Sequence, residues 1–409
     1  MQTKLAKAYR NTPLGDEADR ILRSCVHCGF CNATCPTYQL LGDELDGPRG
    51  RIYQIKQVLE GAPVSIETRN HLDRCLTCRS CESTCPSGVQ YARLADIGRA
   101  VVEKRVPRDR KERLRRWGMR QILPKRWRFA VALRLARWFR SKLPADLAAH
   151  LPAQRAAPGR WPKVRHTRRV LLLQGCVQPT LAPDIDAAAA RVFDAIGISA
   201  ERISIGCCGA VAYHLNAQED GLNTARRAID RICAGLDRGA EAVVLSASGC
   251  ASFVAEYGHL FERDAEYAAK AARVVAALRD PSQIVADGRD VLAQRFAAQP
   301  VVMARVAFQS PCSLQHGLRV RDQVESLLAL AGYTCTPVAD AHLCCGSAGT
   351  YSILQPELSG QLRKNKLAAL HAGGAERIAT ANIGCLTHLA TGTETPVDHW
   401  LQLLDARLR

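Results

Sequence analysis

The chain has 409 residues, 47% of them hydrophobic and 23% charged, enough for two or three domains with cores of their own. No apolar run approaches the ~20 residues needed to cross a bilayer, and the opening MQTKLAKAYRNTPLGDEADR lacks both the apolar core of a secretory signal and twin arginines, so a cytoplasmic location is expected. Eighteen cysteines in that compartment exclude a disulfide framework and point to metal ligation, while the net charge of +17 gathers in residues 104–142, where sixteen Lys or Arg face only Asp109 and Glu112.

Residues 1–103 read as an α-helical, ferredoxin-like domain. Cys25, Cys28, Cys31 and Cys35 follow C-x2-C-x2-C-x3-C with Pro36 next, and Cys75, Cys78, Cys81 and Cys85 repeat that run with Pro86 next. This is the spacing of a two-cluster ferredoxin, in which three thiolates of one loop hold three corners of a cubane and the fourth cysteine serves the other cluster. Two [4Fe–4S] clusters are therefore expected, one on Cys25, Cys28, Cys31 and Cys85, the other on Cys75, Cys78, Cys81 and Cys35. Zinc also takes paired C-x2-C groups, but rarely three cysteines in one run. Between the runs, LLGDELDGPRGRIYQIKQVLEG reads as a loop through Gly47, Pro48 and Gly50 leading into an amphipathic helix. Arg49 and Arg51 are candidates for easing reduction of a nearby cluster, against the plainer role of binding carboxylates or backbone. His27 reads as packing or hydrogen bonding.

Residues 104–168 form a basic amphipathic linker. Val131, Leu135, Trp138 and Phe139 fall on one helical face, and Trp117, Trp127 and Trp138 are three of five tryptophans. Two uses stand side by side: contact with an anionic membrane surface, or packing on a partner or on the protein itself. Nucleic acid is not expected.

From residue 169 the texture becomes α/β. VLLLQG (170–175), AVVLSASG (242–249), RVAFQS (305–310) and RIATANIG (377–384) are strand candidates, and DIDAAAARVFDAIG is helical. Cys176, Cys207-Cys208-Gly209 and Gly249-Cys250 return as Cys312, Cys344-Cys345-Gly346 and Gly384-Cys385, which defines two Rossmann-like repeats, 169–300 and 301–409. Since carboxyl ends of parallel strands converge on ligands, each set is a candidate further iron–sulfur or redox centre. Cys233 and Cys335 fall outside the pattern and read as core.

The motifs CVHCGFCNATCPTYQLLGDELDGPRGRIYQIKQVLEG, HLDRCLTCRSCESTCPSGV, CCGAVAYHLNAQ, and HLCCGSAGTY with TANIGCLTHL span most of the chain and resemble the iron–sulfur subunits of bacterial glycolate oxidases. The subunits serving lactate or glycerol-3-phosphate dehydrogenation are similar, and more remotely the repeats resemble the cysteine-rich domains of heterodisulfide reductase. The resemblance implies the electron-transfer subunit of a glycolate dehydrogenase complex, with no catalytic acid–base residues of its own. A partner flavoprotein carrying FAD would oxidise the 2-hydroxy acid, electrons would pass to a quinone or other acceptor, and the chain would sit peripherally at the inner face of the cell membrane. No Gly-rich phosphate loop is visible here. The alternative is a disulfide or quinone reductase acting at the repeated cysteines. One departure concerns the last motif, which is C-x2-C in heterodisulfide reductase: Ala247 and Asn382 replace its first cysteine, leaving four thiols per repeat, with His214 and His388 as candidate extra ligands.

Overall fold

A computed structural model describes residues 1–142, 157–300 and 303–409; residues 143–156 of the expected linker and the first two of the last repeat lie outside them. The fold is mixed, helices followed by two small parallel sheets, as the sequence pattern implies. The chain divides into two compact units.

The first unit comprises Met1–Trp117 together with His342–Leu362, a stretch from the last quarter of the sequence. Its core is a cluster of helix faces, with Ile21 and Leu22 from Pro13–Ser24, Ile55 and Leu59 from Pro48–Glu60, Leu72 from Ile66–Asp73, and Leu94 and Val102 from Tyr91–Arg105. Local chemistry sets where these helices begin. Thr12 caps Pro13–Ser24 by accepting from the Gly15 amide, and Ser65 caps Ile66–Asp73 by accepting from the Thr68 amide. The connection expected as a loop through Gly50 is shorter: the helix already starts at Pro48, a residue suited to a first helical turn. Gly50 lies inside it because a Cβ there would stand 2.1 Å from the Glu44 carbonyl oxygen.

In the second unit, Gly118–Ala341 and Arg363–Arg409, the repeats are visible as two all-parallel four-stranded sheets. Strands β1 (Arg168–Gln174), β2 (Ile198–Ser204), β3 (Ala242–Val244) and β4 (Leu278–Arg279) are ordered β2-β1-β3-β4. Strands β5 (Arg305–Gln309), β6 (Thr334–Thr336), β7 (Arg377–Thr380) and β8 (Val397–His399) are ordered β6-β5-β7-β8, the same arrangement. The register places Val170 beside both Ala200 and Ala242. One apolar cluster joins the sheets: Val170, Val244 and Phe193 pack in the same core as Val306, Phe308, Trp400 and Leu401.

The basic segment forms two helices, Arg110–Ile122 and Arg126–Trp138, interrupted around Pro124. Some of its arginines pack inside the protein. Arg108 and Arg116 are buried, Arg108 holding both carboxylate oxygens of Asp73 at 2.6 and 2.9 Å and Glu103 at 2.7 Å. No helix among the described residues is long and apolar enough to cross a membrane.

Candidate functional site

The two ferredoxin-type loops share a backbone device. His27 and Gly29 in the first run have φ of +58° and +86°, and Thr77 and Arg79, fifty residues on, have +53° and +63°. Left-handed positions on either side of Cys28 and of Cys78 turn peptide N–H groups of each loop inward, a concave arrangement suited to negative charge. In the second loop the Thr77 amide donates to Cys75 Sγ at 3.4 Å, and in the first the His27 amide faces the Cys25 thiol.

The two runs line two cavities. One is walled by Cys25, Cys28, Cys31 and Cys85, with Pro48, Ile52 and Pro86. The other is walled by Cys35, Cys75 and Cys78, with Thr37, Arg51 and Arg79. Cys81 and Tyr91 border both. Thus Cys85 stands with the first run and Cys35 with the second. Cys28 is exposed, with the exposed Val26 and Phe30 beside it, whereas Cys35 and Cys81 are buried.

The donor chemistry fits iron–sulfur clusters. Burial, helped by neighbouring thiols, pushes Cys31 up to about 11 and raises Cys25. Sulfurs crowded this way ionise together only around a cationic centre. Cys75 behaves differently. Burial opposes its ionisation, yet the Arg51 and Arg99 guanidiniums, the Thr77 amide and the Tyr91 hydroxyl (3.6 Å from Sγ) hold it below the ordinary thiol range.

Within the second unit, the first repeat brings four cysteines together just beyond three parallel strand ends. Cys176 follows β1, Cys207 and Cys208 follow β2, and Cys250 lies in helix Ser248–Val254 after β3. Cys207 accepts hydrogen bonds from the Cys176 and Cys208 thiols, which hold its pKa well down, and Cys208 is raised by its bonds with Cys207 and Cys250. Gly209, at φ +102°, directs its amide to Cys207 Sγ at 3.4 Å. In the first unit the same turn recurs at Gly346, φ +92°, whose amide is 3.4 Å from Cys344 Sγ. Cys345 is buried beside it. Cys312, just beyond β5, and the buried Cys385, in helix Ile383–Ala390, belong to the second unit.

Asn382 and Ala247 stand where heterodisulfide reductase has the first cysteine of its last motif. Asn382 donates to Cys385 Sγ at 3.5 Å while its Oδ1 accepts from the Gly249 amide at 3.2 Å, so it ties the two repeats across their strand ends. The Ser248 amide adds a bond to the Ala381 carbonyl. His214 packs edge-on against Phe253 and Tyr213, and His388 is buried. His27 packs edge-on against Tyr53. Cys233 and Cys335 pack with the apolar core, their thiols near the Lys270 and Glu325 carbonyls.

Comparison with known proteins agrees with this arrangement. Residues 21–89 match the 4Fe-4S dicluster domain, and residues 170–255 and 306–390 match the cysteine-rich domain. The glycolate oxidase iron-sulfur subunit of Escherichia coli K12 is 51% identical, over 100% of this chain and 99% of its own. The chain belongs to the glycolate oxidase iron–sulfur subunit family. The probable glycolate oxidase iron-sulfur subunit of Bacillus subtilis is 31% identical over 91% of this chain and 89% of its own. The lactate utilization protein A of Shouchella clausii is 27% identical over 49% of this chain and 83% of its own. Like its family, the chain is an iron–sulfur, electron-transfer protein.

Three residues around the second cavity escaped the sequence reading. Arg99 is buried and donates to the Leu72, Cys75 and Thr77 oxygens; its position among the apolar residues of helix Tyr91–Arg105 was the available signal. Tyr91 and Thr37, the latter 3.3 Å from Cys35 Sγ, gave none.

Proposed function

We propose that this chain is the electron-relay subunit of a glycolate dehydrogenase complex, in which a partner flavoprotein carrying FAD oxidises the 2-hydroxy acid. The observation that carries the reading is the pair of cysteine-walled cavities bordered in common by Cys81 and Tyr91. Clusters bound there supply one-electron redox capacity, which a flavin complements by accepting the substrate's electron pair. Cys25, Cys28, Cys31 and Cys85 would hold one, and Cys75, Cys78, Cys81 and Cys35 the other. The first-repeat set, Cys176, Cys207, Cys208 and Cys250, would hold a further centre.

The protein's own part is positional. Apolar walls such as Ile52 and Pro48 limit water at the sulfurs, and the inward amides stabilise their negative charge. The exposed Cys28, flanked by Val26 and Phe30, is the natural approach for a docked donor. A quinone in the membrane would be the acceptor, reached by a chain held at the inner surface through its basic helices.

The deciding experiment mixes anaerobically purified chain with its flavoprotein and glycolate and follows the paramagnetic resonance of the reduced clusters. Glycolate-dependent reduction, absent without the flavoprotein, is expected. Cluster reduction by glycolate without the flavoprotein, or none with it, would overturn the reading.

A further inference from the structure

The two cavities are chemically similar in their sulfurs and dissimilar in the charge around them. The second has one buried guanidinium, Arg51, in its wall and another, Arg99, behind the loop that carries Cys75. Arg51, 1% exposed, donates to Thr37 Oγ1 at 3.1 Å and to the His71 carbonyl, and pairs with Asp46 at 3.2 Å. Arg99 donates to the carbonyls of Leu72 and of Cys75 itself. Asp46 is shared with Arg74 at 2.8 Å, so one buried carboxylate faces two arginines before Arg99 is considered. Arg79 also lines this cavity; the opposing acids are Glu82, beside Cys81, and Asp96 and Asp73, which face Arg99. Hydrogen bonds to sulfur add in the same sense, from the Thr77 amide and the Tyr91 hydroxyl.

The first cavity has no such wall. Its guanidinium, Arg49, is half-buried and paired with Glu44 at 2.6 Å, and the Met1 ammonium bonds the Cys25 carbonyl at 2.7 Å. Water at Cys28 favours reduction there, but solvent also screens the nearby charges. Adding an electron to a cluster adds negative charge, which buried cations and donors to sulfur stabilise most where the medium is dry.

We infer that the buried guanidiniums of Arg51 and Arg99 make the cluster on Cys75, Cys78, Cys81 and Cys35 the easier of the two to reduce, so that electrons arriving at the Cys28 side settle at the second site. The inference rests on the proposed ligand sets. Arg51 and Arg99 are positioning residues that act through the cluster's environment. The same side of the unit receives the segment carrying Cys344, through the Tyr351 hydroxyl's bond to the Arg74 carbonyl at 3.0 Å, which suits a site from which electrons move on.

The test is a redox titration of the full chain, followed by paramagnetic resonance, with iron counted on each sample. Cys28→Ser identifies the first site, by altering or deleting its signal. The higher midpoint is expected at the second site. Arg99→Gln should lower that midpoint by at least 59 mV, a tenfold change in the one-electron equilibrium, and leave the first unmoved, while Arg99→Lys should restore most of it. A higher midpoint at the first site would overturn the inference, as would equal shifts at both sites or a Lys variant shifted as far as Gln. If Arg99→Gln loses iron, the order of the wild-type midpoints decides alone. Iron below two clusters per chain overturns the ligand sets as well; two clusters in reversed order overturn only the ordering.

Discussion

His399 should make the second unit lose stability as pH falls from neutrality. It ends β8 and caps helix Trp400–Arg407, with no exposed surface. Its Nε2 donates to the Ser246 carbonyl at 2.9 Å and its Nδ1 accepts from the Leu401 amide at 3.3 Å. Both ring nitrogens are therefore committed in the neutral form, and a second proton would evict the Leu401 bond and bury a charge. Burial, against bonds from Ser246 and Ala381 that act the other way, lowers the pKa from 6.5 to about 4. The folded state then binds fewer protons than the unfolded state between those values. The contribution is complete above pH 6.5 and is lost as pH falls toward 4. At pH 5 an unfolded histidine is almost fully charged and the folded one almost neutral, so the loss relative to pH 8 is about 2 kcal/mol. The assay is the urea midpoint at pH 7.5 and 5.0 for wild type and His399→Asn, since asparagine can still cap a helix but does not titrate. The variant should be less stable than wild type at pH 7.5 and should show about 2 kcal/mol less acid sensitivity. Acid effects on the clusters are common to both proteins and cancel in the comparison. Equal pH dependence in the two proteins would refute the reasoning.

Arg108→Ala should destabilise the protein by about 3–5 kcal/mol, read from urea unfolding, because it strips Asp73 and Glu103 of their main partner inside a buried network. Cys207→Ser should remove iron attributable to the first repeat, seen in metal analysis, while both ferredoxin-type signals remain; unchanged iron would assign that cluster of thiols a structural role. Trp127, Val131, Leu135 and Trp138 form an exposed stripe on helix Arg126–Trp138, with Trp138 77% exposed and Arg134 and Arg137 alongside. Replacing Trp127 and Trp138 by Ser should release the complex from anionic vesicles at low salt; equal retention on neutral vesicles would exclude lipid charge as the attraction.

Spacing made the cysteines legible because ligand geometry is local: three thiols two residues apart can reach one centre only from one loop, and that loop repeats fifty residues on. The parallel strands were legible for a similar reason. LLL in β1 and AVV in β3 are short apolar runs, buried on both faces, before a turn into a helix. What stayed hidden depends on contacts across the chain. The burial of Arg108 and Arg116 was masked by the density of basic residues around them, since composition alone does not tell which arginine finds Asp73. The break near Pro124 was signalled by the proline itself. Likewise the packing of His342–Leu362 with the N-terminal unit follows from bonds such as Tyr351 to Arg74, which no spacing in either segment announces.

The cysteines and the residues that tune them thus differ in how they are encoded. The ligands must be close in sequence or repeated in register, because each centre needs several of them at fixed reach. Their electrostatic setting has no such constraint. Arg51, in the wall of the second cavity, and Arg99, behind the Cys75 loop, come from two different helices, and each is anchored on carbonyls of Ile66–Asp73 or the turn after it, His71, Leu72 and Cys75. That turn therefore does two things at once: it starts the second cysteine run and fixes two cations beside it. A substitution that moved Leu72 out of the core would disturb both. The expected signature is loss of the guanidinium anchoring before loss of the thiols, a downward shift of the second cluster's midpoint while iron is retained, and a cavity mutant such as Leu72→Ala is the place to look for it.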